Sequence, residues 1–500
     1  MKKVLVCGLA AAAALWGAIQ AQTITVAFTA DAVTLDPHRT NDLYSAQVMS
    51  QIYDTLVVRT EDLELVPGLA ESWEQMDDNT WEFRLRAGVT FHNGDPLTAA
   101  DVKFTLDRML DPERPAAAAA VVAFIEAVEV VDDLTFRIVT AFPFAPILAH
   151  LSHTATSILN ERAVTEAGED YGTEVAVGTG AFTFELWEAA SRIVIERNGD
   201  WWGGDVLPEG VVFRPIPDGT VRAIELETGG VDIAYRIDPP DARRLADRAD
   251  LQLFTYEGLS ATFMGFNVER EPFDDVRVRQ ALNHALDVDA IVDAVFEGEG
   301  LRAAGPLSPR VWGSHPDLEP YEYDPERAIA LLEEAGYGDG FSATIRVAEQ
   351  PPRIQIAEIA QAQLAEIGID ISIEVLEWGT FLAETAAGTD DPFILGWTTS
   401  TADADYGLFA LFHSSEMGAA GNRTFYANDR VDELLDRGRT SVDEQERLDA
   451  YREVQELLRD EAPWVFLHFP TYTDGVRDNI DGFVPHPSEN HRLYQVMRTH

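Results

Sequence analysis

Trp81, Phe83 and Leu85 alternate with Glu82, Arg84 and Arg86, a period of two that predicts a strand with one wet face. Leu134, Phe136 and Ile138 repeat the pattern after the turn-prone Asp132-Asp133, and Ile369, Ile371, Ile373 and Val375 give a third such run. Ile193 and Ile195 mark a further strand after Gly178-Thr179-Gly180. Elsewhere the apolar spacing is that of a helix. Ala328, Leu331, Leu332 and Ala335 share one face; Asp324 stands at an N-cap, Pro325 in the first turn, and Gly336 supplies the stop. Asp287 opens a helix carrying Ile291, Val292, Val295 and Phe296. Residues 442–461 read as a long amphipathic helix with Leu448, Tyr451, Val454, Leu457 and Leu458 inward.

Strand-like and helix-like stretches alternate along the chain and no short repeat occurs. That predicts a mixed α/β protein and disfavours solenoids and propellers. A chain of 500 residues suggests about two to four domains. Pro112 to Ala120, with five consecutive alanines, reads as an exposed loop or helix, and Leu307 to Pro320 holds three prolines with little periodicity. Neither is long enough to tether domains.

The first 21 residues read as an export signal. Lys2 and Lys3 precede an apolar stretch from Val4 to Ile19, and Ala21 ends a plausible cleavage site. The single cysteine, Cys7, precedes most of that stretch. It is badly placed for a lipid anchor, and cleavage would remove it, leaving no disulfide, thiolate metal site or cysteine nucleophile. The formal net charge is −49. Such a surface repels phosphate backbones and anionic lipid heads, so nucleic-acid binding is disfavoured. The acids are spread along the whole chain, as expected of a solvated surface suited to salt or solubility.

Catalytic signatures are missing. There is no G-x-S-x-G elbow and no H-E-x-x-H, and Lys103, the only lysine after residue 21, has no phosphate-loop context. Residues 298–303 loosely resemble a dinucleotide fingerprint but follow a helix, not a strand. His150 and His153 are three apart; ordinary histidines near a core wall are the favoured reading over a metal pair. With 86 acidic residues, carboxylate pairs of glycosidase type arise by chance. No cofactor is expected.

The block from Pro67 to Met109 is more specific. It contains Pro67-Gly68-Leu69-Ala70, the Trp81–Arg86 run, Gly88-Val89, Phe91-His92-Asn93-Gly94 and Thr98-Ala99-Ala100-Asp101-Val102. It reads physically as a strand, an Asn-Gly turn and a helix capped by Thr98 with Asp101 three residues on. It resembles the signature region of family 5 extracellular solute-binding proteins, the dipeptide and oligopeptide binders of ABC importers. The resemblance continues in order through Gly178-Thr179-Gly180-Ala181-Phe182, where Ala181 replaces the family's proline. It then passes Phe273 to Leu282, Tyr323 to Ala328, Ala335-Gly336-Tyr337, Glu377-Trp378-Gly379 and Gly396-Trp397-Thr398.

The resemblance implies a two-lobed, Venus-flytrap α/β fold of the large three-domain kind. Lobe I would span 22–264 plus 470–500, with an inserted subdomain at about 55–172, and lobe II 266–469. The protein would be periplasmic and monomeric. It would work with ABC permease and ATPase subunits and capture a small solute, a di- or oligopeptide foremost, without altering it. The same fold also takes glutathione, nickel chelates, haem and oligosaccharides, and an exported glycosidase-type hydrolase is the remote alternative. In dipeptide-binding relatives an Asp three residues after the Gly-Trp tryptophan takes the ligand ammonium. Here that position is Ser400, leaving Asp403 and Asp405 as substitutes. Arg353 is the only arginine in the loop corresponding to the carboxylate-binding one. Tyr44, Trp378 and Trp397 would wall the cleft, and Ser260, Ala261 and Thr262 would offer backbone groups beside the first crossing.

Overall fold

The computed structural model describes residues 23–418 and 421–499; the expected export segment and Cys7 lie outside them. The alternating runs become strands. Thr80–Leu85 pairs antiparallel with Thr135–Thr140, and Ala70–Gln75 and Ile125–Val130 complete a four-stranded sheet. Register puts Phe83 opposite Phe136 with their rings stacked 5.3 Å apart. The dry face covers the helix Ala99–Met109, which starts in a capping box between Thr98 and Asp101. The alanine run is not an exposed segment, as had been expected: Ala116, Ala118 and Ala120 are buried, and the first two join this core. The small side chain suits alanine to such close packing.

Two larger sheets carry the rest. A seven-stranded sheet runs in the order Leu251–Glu257, Thr471–Arg477, Ile233–Ala234, Thr23–Phe28, Gly210–Pro215, Arg192–Arg197, Phe182–Glu188. A six-stranded sheet runs Leu301–Arg302, Trp464–Phe469, Ser260–Gly265, Phe393–Thr398, Phe341–Ala348, Ile369–Leu376. The last two are parallel and joined by the helix Pro351–Glu366, the usual solution for a parallel pair.

The chain passes between these sheets twice: at Gly258-Leu259, and at Pro470 between Trp464–Phe469 and Thr471–Arg477. The first passage corrects the expected one near Phe266-Asn267. Ser260–Gly265 pairs with Phe393–Thr398 and Trp464–Phe469 and so belongs to the six-stranded sheet. The two passages are neighbours, for the Gly258 N–H donates to the Pro470 carbonyl at 3.4 Å.

Candidate functional site

A cavity of about 1580 Å³, part of it open to solvent, lies between the two large sheets. From the seven-stranded side it is lined by Tyr44, Arg236, Asp238 and Tyr472, and from the six-stranded side by Ser260, Thr262, Gln350, Arg353, Trp378, Trp397 and Ser400. Tyr44 stands in the first turn of the helix Leu43–Ile52, capped by Asp42. Its hydroxyl accepts from Gln350 Nε2 across the cleft at 3.1 Å, and its ring meets the edge of Trp378 at 5.4 Å.

Strand geometry sorts the expected backbone trio. Ser260 and Thr262 face the cavity, with Ser260 Oγ 2.7 Å from Thr398 Oγ1. Ala261 points the other way, into the apolar cluster of Phe263, Leu395 and Trp464, and does not line the cavity. Alternation along a strand requires this split.

Asp403 and Asp405 are also corrected. Asp403 caps the helix Ala404–Phe412 and accepts from Arg447 Nη2 at 2.9 and 3.0 Å. Asp405 is fully buried, with Arg439 Nη2 at 3.0 Å and His150 Nε2 at 2.9 Å. Neither lines the cavity, and neither has a free face for an ammonium. Ser400 does line it. His150 and His153 are both buried: His150 Nδ1 lies 2.8 Å from the Val121 carbonyl and His153 Nε2 3.0 Å from the Tyr406 hydroxyl.

Arg353 is different. It sits in the first turn of the helix Pro351–Glu366, with its guanidinium over the Trp378 ring at 5.5 Å. Among the described residues it has no salt bridge and no side-chain hydrogen bond, and its Nη1 is buried without a partner. Burial pulls its pKa down because no acid offsets the lost hydration. A half-buried guanidinium with no counter-ion beside an open cavity has the charge and the free N–H groups to accept a carboxylate.

Several lining groups carried no sequence signal. Arg236 reaches the cleft and pairs with Glu489, with Nη2 2.6 Å from Oε1. Both residues have left-handed backbone, φ 53° and 65°, a conformation that non-glycine residues rarely take without support. His468 lines the cavity with Nε2 unpartnered, and Trp397 does the same with its indole N–H. Asp238 and Glu299 line it without any ion pair among the described residues. Gln350, at the N-cap of the helix that presents Arg353, was not singled out by the sequence either.

A closable crevice between separately paired sheets, lined by unpaired donors, defines a ligand-binding protein. The model of the bacterial extracellular solute-binding proteins, family 5, matches residues 64–419. A glutathione-binding protein of Salmonella choleraesuis is 33% identical over 485 residues, covering 95% of this chain and 94% of its own. The dipeptide-binding protein of Escherichia coli K12 is 31% identical over 460 residues, with 87% and 86% covered. The periplasmic binding protein DppA of Helicobacter pylori, solved with the peptide STSA, superposes with a TM-score of 0.90 at 30% identity, covering 96% of this chain and 98% of that one. The chain belongs to the family 5 solute-binding proteins, the ligand-capturing components of ABC importers, and has their two-lobed fold. These relatives are binding proteins and not enzymes. No helix among the described residues is long and apolar enough to cross a membrane.

Proposed function

We propose that this protein captures a peptide between its lobes and delivers it, unaltered, to an ABC permease outside the inner membrane. The observation that carries the reading is Arg353, whose missing counter-ion is the C-terminal carboxylate of the ligand. Ser260 and Thr262 offer polar groups along the ligand, and Trp378 and Trp397 wall it. Asp238 and Glu299, which line the cavity and form no ion pair within contact distance among the described residues, are the groups available to its ammonium. A second pocket of about 660 Å³, part of it open to solvent, shares His153, Thr154, Ser400 and Asn490 with the main cavity, so a ligand longer than a dipeptide has somewhere to extend. Closure follows from linkage: a ligand touching both lobes stabilises the shut form by its extra contacts there. The relatives named for glutathione and for dipeptides support the same chemistry, since both ligands are peptides with a free carboxylate.

The test is a melting-temperature screen with di- and tripeptides, free amino acids, sugars and nickel chelates, followed by calorimetry. Peptides are expected to raise Tm, and Arg353→Gln to weaken them by about 100-fold, the scale of a buried charge-assisted contact. The ligand-free variant is expected to keep its Tm or gain, because the change deletes an unpaired buried charge. Stabilisation by a sugar or a chelate with no response to any peptide would sink the proposal.

A further inference from the structure

Four arginines line the cleft: Arg222, Arg236, Arg353 and Arg423. Two are fully engaged by the protein. Arg222 donates to the carbonyls of Ile216, Pro217, Tyr235 and Arg236, and Arg236 is held by Glu489. Arg353 has no polar partner, as described. Arg423 is the second exception. Its Nη1 donates to the Leu382 carbonyl at 2.5 Å and to Thr385 Oγ1 at 2.8 Å. Its Nε and Nη2 make no hydrogen bond, and no acid pairs with it, among the described residues. Burial alone lowers its pKa to about 10.

The two exceptions flank one helix, Trp378–Ala386. Arg353 lies over Trp378, and Arg423 holds the carbonyl of Leu382, one helical turn further on. This chain carries 86 acidic residues and pairs two buried arginines with them, Arg439 with Asp405 and Arg447 with Asp403, while Arg222 is held by carbonyls alone. Both side chains are half-buried; Arg353 Nη1 is cut off from water without a partner, whereas Arg423 Nε and Nη2 stay open to the cleft, and neither cation has an acid beside it. Both are answered when the occupant brings the anions.

Resting on the peptide reading, we propose that the ligand carries two carboxylates, its C-terminus on Arg353 and a second one, from an acidic side chain, on Arg423. The site thereby selects acidic peptides. The carboxamide analogue has the same shape, but it leaves the Arg423 charge unanswered, and a buried group left unpaired discriminates strongly.

Calorimetry on the mature protein with Ala-Glu against Ala-Gln, and with Ala-Glu-Ala against Ala-Gln-Ala, tests this without any mutation. At least one acidic member is expected to bind tenfold or more tightly than its amide partner. Arg423→Met should erase that preference. The variant is expected to lose Tm because Arg423 also holds the Leu382 carbonyl, so the wild-type ratio is the primary readout. If amide and acid bind equally in both pairs, the second carboxylate is excluded and the peptide reading stands. If the preference persists in Arg423→Met, Arg423 does not hold the second carboxylate and the assignment is overturned. If no peptide binds, the peptide reading fails and this inference falls with it.

Discussion

Arg353, half-buried, and Asp405, fully buried, are both charges on the six-stranded side, yet they do opposite things. Asp405 is answered from within. Burial by itself would raise its pKa, but the Arg439 guanidinium and His150 outweigh burial and hold the carboxyl below the usual range. Asp405→Asn is expected to cost about 3 kcal/mol in a denaturant titration near neutral pH, the scale for breaking a buried pair. A carboxyl held low contributes stability above its unfolded pKa and loses it as pH falls toward the folded one. The gap between variant and wild type should therefore narrow below about pH 4. A gap of the same size at every pH would contradict the pairing. The contrast also explains what was legible. Sequence marks Arg353, Asp403 and Asp405 as charges near the right stations. Whether each has a partner depends on Arg439 and Arg447, contributed by helices about 30–45 residues downstream, and no local pattern encodes that.

Caps, turns and alternation are local, and they were readable. The helix Pro325–Ala335 begins on Asp324 and ends on Gly336 at φ 91°, and Val288–Phe296 begins on Asp287. Sheet membership is not local. Ser260–Gly265 alternates equally well whichever sheet it joins, and only its pairing with strands more than 120 residues away decides. Gly178-Thr179-Gly180 lies between these cases. A Cβ on Gly178 would come within 2.2 Å of the Ile52 carbonyl oxygen, and one on Gly180 within 2.5 Å of its carbon. The motif thus seats the end of the helix Leu43–Ile52, whose first turn carries Tyr44 into the cleft. Gly180→Ala is expected to lower stability by about 1–3 kcal/mol, since backbone cannot rotate aside, and to weaken ligand binding by displacing Tyr44. Unchanged values in a denaturation curve and a titration would remove the motif from the site's support.

The whole molecule carries a second titration besides its acids. Burial foremost lowers the pKa of His38, His153, His468 and His486 to about 3 and of His92 to about 4. These histidines stay neutral in the fold and take up protons when it opens. Each removes up to about 1.4 kcal/mol per pH unit as pH drops below about 6.5 toward its folded value. Self-repulsion among carboxylates acts in the other direction, but most of them protonate only below about pH 5. Calorimetric Tm is therefore expected to fall between pH 6.5 and 5, before the acids respond; a flat Tm over that interval would show these rings to be open to water. At this scale the family was legible from its ordered motifs. The first passage between the sheets came out several residues early, at Gly258-Leu259.

Because the two connecting strands run side by side, joined at Gly258 and Pro470, the halves are bound like the boards of a book along a narrow spine. Such a spine favours rotation over twisting or sliding once the bonds that now span the halves, Tyr44 to Gln350 and His150 to Asp405, have parted. Leverage then grows with distance from the binding edge, so a small swing at Tyr472 becomes a wide sweep at the outer rims, where a membrane partner would read it.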